Sequence, residues 1–70
     1  MCIIALKSNT FAQKAKRILQ SNGIKAEIMR LEPNLTKNGC SYGVSLPCDS
    51  LYLSETLLNQ NRLKYTEIIK

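Results

Sequence analysis

The sequence Gly39-Cys40-Ser41-Tyr42-Gly43 sets a thiol between a polar turn, Asn34 to Gly39, and an apolar run that ends at Leu46. The 70 residues contain no histidine. That excludes imidazole acid–base chemistry and the common Cys/His zinc sets. Sulfur is therefore the atom best suited to covalent chemistry here, and Cys40, with Lys37 close by in sequence, is the candidate thiolate. Cys2 and Cys48 are the two other thiols. Cys48 precedes the cap of a predicted helix, a position that favours a thiolate, although its neighbour Asp49 opposes one. The five acidic residues are scattered, with no spacing suited to a glycosidase pair or a hard-metal site. The sequence implies no cofactor and no metal.

The elements that must position these thiols alternate along the chain. Cys2 to Lys7 is a near-continuous apolar run, as in a central strand buried on both faces. Ser8-Asn9-Thr10 offers three N-caps for a helix whose apolar stripe is Phe11, Ala12, Ala15, Ile18, Leu19 and Asn22, stopped at Gly23. Ile24 to Leu31 alternates as a strand with one wet face, ended by Pro33. Cys40 to Leu46 is the third strand. Pro47-Cys48-Asp49-Ser50 starts a second helix, with Asp49 or Ser50 as cap and Leu51, Leu53, Leu57 and Leu58 as its stripe. Lys64 to Ile69 is the last strand. Strand, helix, strand, strand, helix, strand with two right-handed crossovers predicts a single α+β domain over residues 1–70. Its fold would be a ferredoxin-like βαββαβ sandwich, a four-stranded antiparallel sheet with both helices on one face.

That topology sets the beginning of the third strand beside the end of the first. Cys40 is expected near Lys7 and the Ser8-Asn9-Thr10 turn, where the N-terminus of the first helix, with Lys7 and Lys37, would stabilise an anion. The other reading leaves Cys40 as a small buried hydrophobe on the inward face with Tyr42, Val44 and Leu46. Ser8, Asn9 and Thr10 could hold an anion through backbone N–H groups or simply cap the helix. Cys2 and Cys48 fall at one end of the sheet, where a disulfide or a two-thiolate half-site is open to them; the expectation is two unrelated cysteines.

The chain resembles the small bacterial proteins grouped as selenium/sulfur carrier-like. The match runs through the apolar first strand with its Ser-Asn-Thr turn, the helix end Asn22-Gly23-Ile24-Lys25-Ala26, the loop into Cys40 with glycine at 39 and 43, and Pro47 before an acidic-capped helix and a short final strand. The resemblance implies a thiol-dependent sulfur or selenium carrier, or an accessory to a sulfur relay. Cys40 would be the carrying thiol, Gly39 and Gly43 its binding neighbours, and a sulfur-donor or acceptor protein the partner. Here Ser41-Tyr42 separates Cys40 from Gly43, where the family pattern has a tighter Cys-Gly pair.

Composition bounds the alternatives. The net charge of +5 is spread along the chain, with no basic run beyond Lys16-Arg17. The outward positions of the central strands, Ile3, Ala5, Lys7, Ser41, Gly43 and Ser45, carry no aromatic ring, so base stacking on nucleic acid is not expected. That mildly apolar face, extended by Met29 and Leu31, suits a second copy of the chain, and a non-catalytic binding or dimerisation module is the competing function. The apolar runs are too short for a bilayer, three cysteines is an odd number, and Met1-Cys2-Ile3-Ile4 is unlike a signal peptide. A reducing, cytoplasmic location is expected.

Overall fold

The computed structural model describes residues 1–32, 34, 36 and 39–69. Strands β1 (Cys2–Leu6), β2 (Glu27–Arg30), β3 (Tyr42–Leu46) and β4 (Glu67–Ile69) form one sheet in the order β2-β3-β1-β4. All neighbours are antiparallel, with Ile4 opposite Val44 and Ile68, and Val44 opposite Ile28. Helices α1 (Asn9–Ser21) and α2 (Leu51–Gln60) join β1 to β2 and β3 to β4. This is the ferredoxin-like α+β order. No helix among the described residues is long and apolar enough to cross a membrane.

The main core lies between the helices and the sheet. Ile4 and Leu6 of β1 and Val44 and Leu46 of β3 meet Ala12, Ala15 and Leu19 of α1 and Leu51 and Leu58 of α2. Full burial of each leucine or isoleucine contributes about 1.5–3 kcal/mol. In α2 the buried stripe is Leu51, Ser54 and Leu58, while Leu53 is exposed. Spacing of three and four keeps those positions on one side of the helix, and residue 53 points away. Ser54 is tolerated in the core because its hydroxyl donates to Ser50 O at 2.7 Å.

Both helices end in the same hydrogen-bonded turn. After α1, Ile24 N–H donates to Leu19 O and Gly23 N–H to Gln20 O. After α2, Leu63 N–H donates to Leu58 O and Arg62 N–H to Asn59 O. This turn puts its penultimate residue in the left-handed region, normally glycine. Gly23 obeys, with φ 79°; at the matching place Arg62 takes φ 56°. A non-glycine residue there costs roughly 1 kcal/mol.

Several boundaries differ from the sequence expectations: β1 ends at Leu6 rather than Lys7, and β4 begins at Glu67 rather than Lys64. β2 is shorter at both ends than Ile24 to Leu31, and Pro33 lies outside the described residues. A 3₁₀ turn, Cys48–Ser50, precedes α2, and Ser50 caps the helix without a side-chain bond. β3 begins at Tyr42, not Cys40. Ser41 O accepts from Leu31 N–H, and Cys40 N–H turns aside to the Thr36 hydroxyl at 2.7 Å.

Candidate thiol site and basic groove

The early end of β3 decides where Cys40 goes. Had the strand continued, alternation would set Cys40 on the helix face with Tyr42, Val44 and Leu46. That expectation is corrected: Tyr42, Val44 and Leu46 join the main core, whereas Cys40 packs with Ala5 and Leu31 in a second cluster. Ile3, Met29 and Ile69 flank it, so the cluster draws on strand and loop residues of the opposite sheet face. Cys40 is 4% exposed.

Polar partners fix the thiol within this apolar setting. Its Sγ lies 2.9 Å from Thr66 Oγ1. The Thr66 hydroxyl donates to Ala5 O at 3.1 Å, and the Thr66 amide donates to the same carbonyl at 2.9 Å. Either group can donate in the S···O contact; with the hydroxyl proton on Ala5 O, the thiol is the donor. If the sulfur becomes anionic, the hydroxyl can rotate its proton from Ala5 O to the sulfur. Ala5 O still keeps its amide partner.

Thr66 has a second side. With Lys7, Phe11, Arg62, Leu63, Lys64 and Tyr65 it lines a shallow groove. Lys7, Arg62 and Lys64 bring three cationic side chains to it, all of them exposed, and among the described residues no acidic one lines it. Thr66 is thus a wall shared between a basic groove and a buried thiol. At the groove's edge, Tyr65 Oη donates to Glu55 Oε1 at 3.0 Å. Burial first, and the Glu55 carboxylate second, raise the Tyr65 hydroxyl above its ordinary value.

Among the expected site residues, the structure brings Lys7 to the groove. Ser8 is spent on α1: its hydroxyl accepts from Phe11 N–H at 3.2 Å, and its carbonyl from Ala12 N–H. Asn9 and Thr10 are exposed in the first turn. Lys37 lies outside the described residues. Gly39, with φ 66°, turns the chain just before Cys40. Gly43 is required by close approach: a Cβ there would sit 2.8 Å from Ile3 Cγ2 and 2.9 Å from Leu31 Cδ1. Ile3 and Leu31 fold over the bare backbone of β3 beside the thiol. Sequence reasoning missed Thr66, Arg62 and Lys64, which meet Lys7 only once β4 is paired with β1.

Cys2 and Cys48 are joined by a disulfide, with Cα atoms 5.0 Å apart. This corrects the expectation of two unrelated cysteines. Cys2 pairs with Leu46 across the β1–β3 ladder, and Pro47 carries the chain directly back to Cys48. Cys40 is the free cysteine. Among the described residues no group of three or more Cys, Asp or Glu side chains could hold a metal.

A match to the family described as "Putative Se/S carrier protein-like" extends over residues 1–70. The chain belongs to that family. No curated protein matches the chain, and no solved structure does. The structure has two cysteine sites: the free thiol behind Thr66, and the bridge at the other end of the sheet.

Proposed function

We propose that this protein carries sulfur or selenium on the Cys40 thiol. The observation that carries this reading is the shared Thr66 wall: the free thiol lies one hydroxyl away from a groove bearing three cationic side chains. In the transfer, the Cys40 thiolate attacks the terminal sulfur of a donor persulfide. The donor S–S bond breaks, the donor departs as a thiolate and takes a proton, and a new S–S bond leaves the sulfur on Cys40 as a persulfide. The Thr66 hydroxyl donates to the anionic sulfur, and Lys7, Arg62 and Lys64 attract an anionic donor or acceptor to the groove. Lys37, three residues before Cys40 in sequence, belongs to this proposal as a further cation. Because Cys40 is almost fully covered, loading requires Thr66 or Leu31 to move aside; the same cover shields the loaded sulfur from bulk thiols. The donor or acceptor is a protein bearing a reactive sulfur.

Incubation with a persulfide donor, followed by intact-mass measurement, tests this reading. Gain of one sulfur atom by the folded protein, abolished in Cys40→Ser, is expected; no gain with the fold intact contradicts it. The competing module without covalent chemistry rests on the half-buried Ile3, Met29 and Ile69 of the open sheet face. Function retained in Cys40→Ser would favour it.

A further inference from the structure

The bridge between Cys2 and Cys48 is asymmetric. Cys2 is 2% exposed and packs into the main core, whereas Cys48 is exposed at the mouth of the 3₁₀ turn that runs into α2. Thiol–disulfide exchange depends on which sulfur an incoming thiolate can reach, and attack proceeds in line with the S–S bond. Cys48, the exposed residue of the pair, is the half of the bridge that such an approach favours. The leaving sulfur, that of Cys2, is held in place without the bridge, because β1 is paired with β3 from Cys2–Leu46 to Leu6–Tyr42.

We propose that Cys2–Cys48 is an exchange-active disulfide, with Cys48 as the sulfur presented to a dithiol reductant and Cys2 as the resolving thiol. A thiolate of the reductant attacks Cys48 Sγ. The bond to Cys2 breaks, its electron pair leaves with Cys2 Sγ, which takes a proton, and a mixed disulfide forms on Cys48. The second thiol of the reductant, after losing its proton, attacks its own partner sulfur in that mixed disulfide and releases Cys48 as a thiolate. The pair gains two electrons and the dithiol becomes a disulfide. Reoxidation by a disulfide partner runs the same steps in reverse. This site is independent of the Cys40 reading, and a Cys40→Ser chain serves to test it alone.

The test follows reduction of the wild-type bridge by dithiothreitol at 25 °C, with circular dichroism as the monitor of fold and mapped alkylation as the readout. Native exchange predicts a rate that rises linearly with dithiothreitol, a reduced chain that keeps its spectrum, and alkylation of Cys48 at least about tenfold faster than of buried Cys40, since reactivity follows access. A rate that levels off at high dithiothreitol would mean that the bridge opens only through unfolding, and would overturn the proposal. So would loss of the folded spectrum on reduction. Trapping with oxidised glutathione in Cys2→Ala adds a second readout: the Cys48 thiolate attacks the glutathione disulfide, one glutathione leaves as a thiolate, and a mixed disulfide on Cys48 is expected; its absence in the folded variant contradicts the assignment.

Discussion

Replacing Thr66 in two ways separates its hydrogen bonds from its role as a wall. Thr66→Val keeps the side chain's bulk and removes the hydroxyl that joins Cys40 Sγ to Ala5 O. Ala5 O still accepts from the Thr66 amide, so no carbonyl is orphaned, and the loss is that of ordinary neutral hydrogen bonds, about 1 kcal/mol. For a domain of this size that lowers Tm by roughly 4–8 °C. Thr66→Ala removes the wall as well, with at most about 0.8 kcal/mol more for the lost methyl group. The assay is urea denaturation of each variant beside the iodoacetamide alkylation rate of Cys40 in native buffer. If Cys40 were reached only by global unfolding, each 1.4 kcal/mol lost would raise the rate about tenfold, and both variants would fall on one line. The shared wall predicts otherwise: Thr66→Val stays near that line, and Thr66→Ala lies at least about tenfold above it. Rates that track stability alone in both variants would refute the wall.

Four further outcomes follow from the same geometry. Arg62→Gly relieves the left-handed backbone at the end of α2 and should stabilise the fold by roughly 1 kcal/mol; it should also slow the reaction of Cys40 with anionic iodoacetate relative to neutral iodoacetamide, and an unchanged ratio would remove Arg62 from the groove's function. Gly43→Ala drives a Cβ into Ile3 and Leu31, an overpacking cost of about 1–3 kcal/mol partly offset by about 0.5–1 kcal/mol of backbone entropy; a lower urea midpoint and faster Cys40 alkylation are expected, and a stabilised variant would show that the two side chains yield freely. Reduction of the bridge, whose cysteines are 46 residues apart, should lower the unfolding free energy by about 2–4 kcal/mol while the chain stays folded at 25 °C; a loss below about 1 kcal/mol would show that the unfolded chain is already constrained. The raised Tyr65 hydroxyl favours the protonated form in the folded state, so its contribution is present below the unfolded value of 10.0 and is lost as pH rises through the higher folded value. Stability should therefore fall above pH 10 more steeply in the wild type than in Tyr65→Phe, and equal slopes would contradict it.

The order of elements was legible because local signals agreed with one another. An apolar run, a Ser-Asn-Thr cap, a helical stripe and Gly23 each marked a boundary, and two crossovers left one economical topology. The face of Cys40 was not legible. Strand parity carries information only while the strand lasts, and the hydroxyl of Thr36, four residues back, draws the Cys40 amide out of register before β3 begins. Ser54 in the core and Leu53 in solvent escaped a reading that counted apolar residues, because a serine hydroxyl can be satisfied by the turn beneath it. The bridge required two things together, the Cys2–Leu46 pairing and the return of the chain at Pro47; the shared end of the sheet was legible and left a disulfide open there, but placed it behind two unrelated cysteines. The groove gathers Lys7 with residues 62 to 66 through β1–β4 pairing, which no local pattern reveals. One signal was present: Asn61-Arg62 stands where a helix end usually takes glycine.

The most direct test of the carrier reading is site-mapped persulfide transfer to the folded wild-type chain, with Cys40→Ser and Cys48→Ser in parallel. The added sulfur is expected on Cys40, absent in Cys40→Ser and retained in Cys48→Ser. Sulfur found on Cys48, or on no cysteine while the fold is intact, would contradict it.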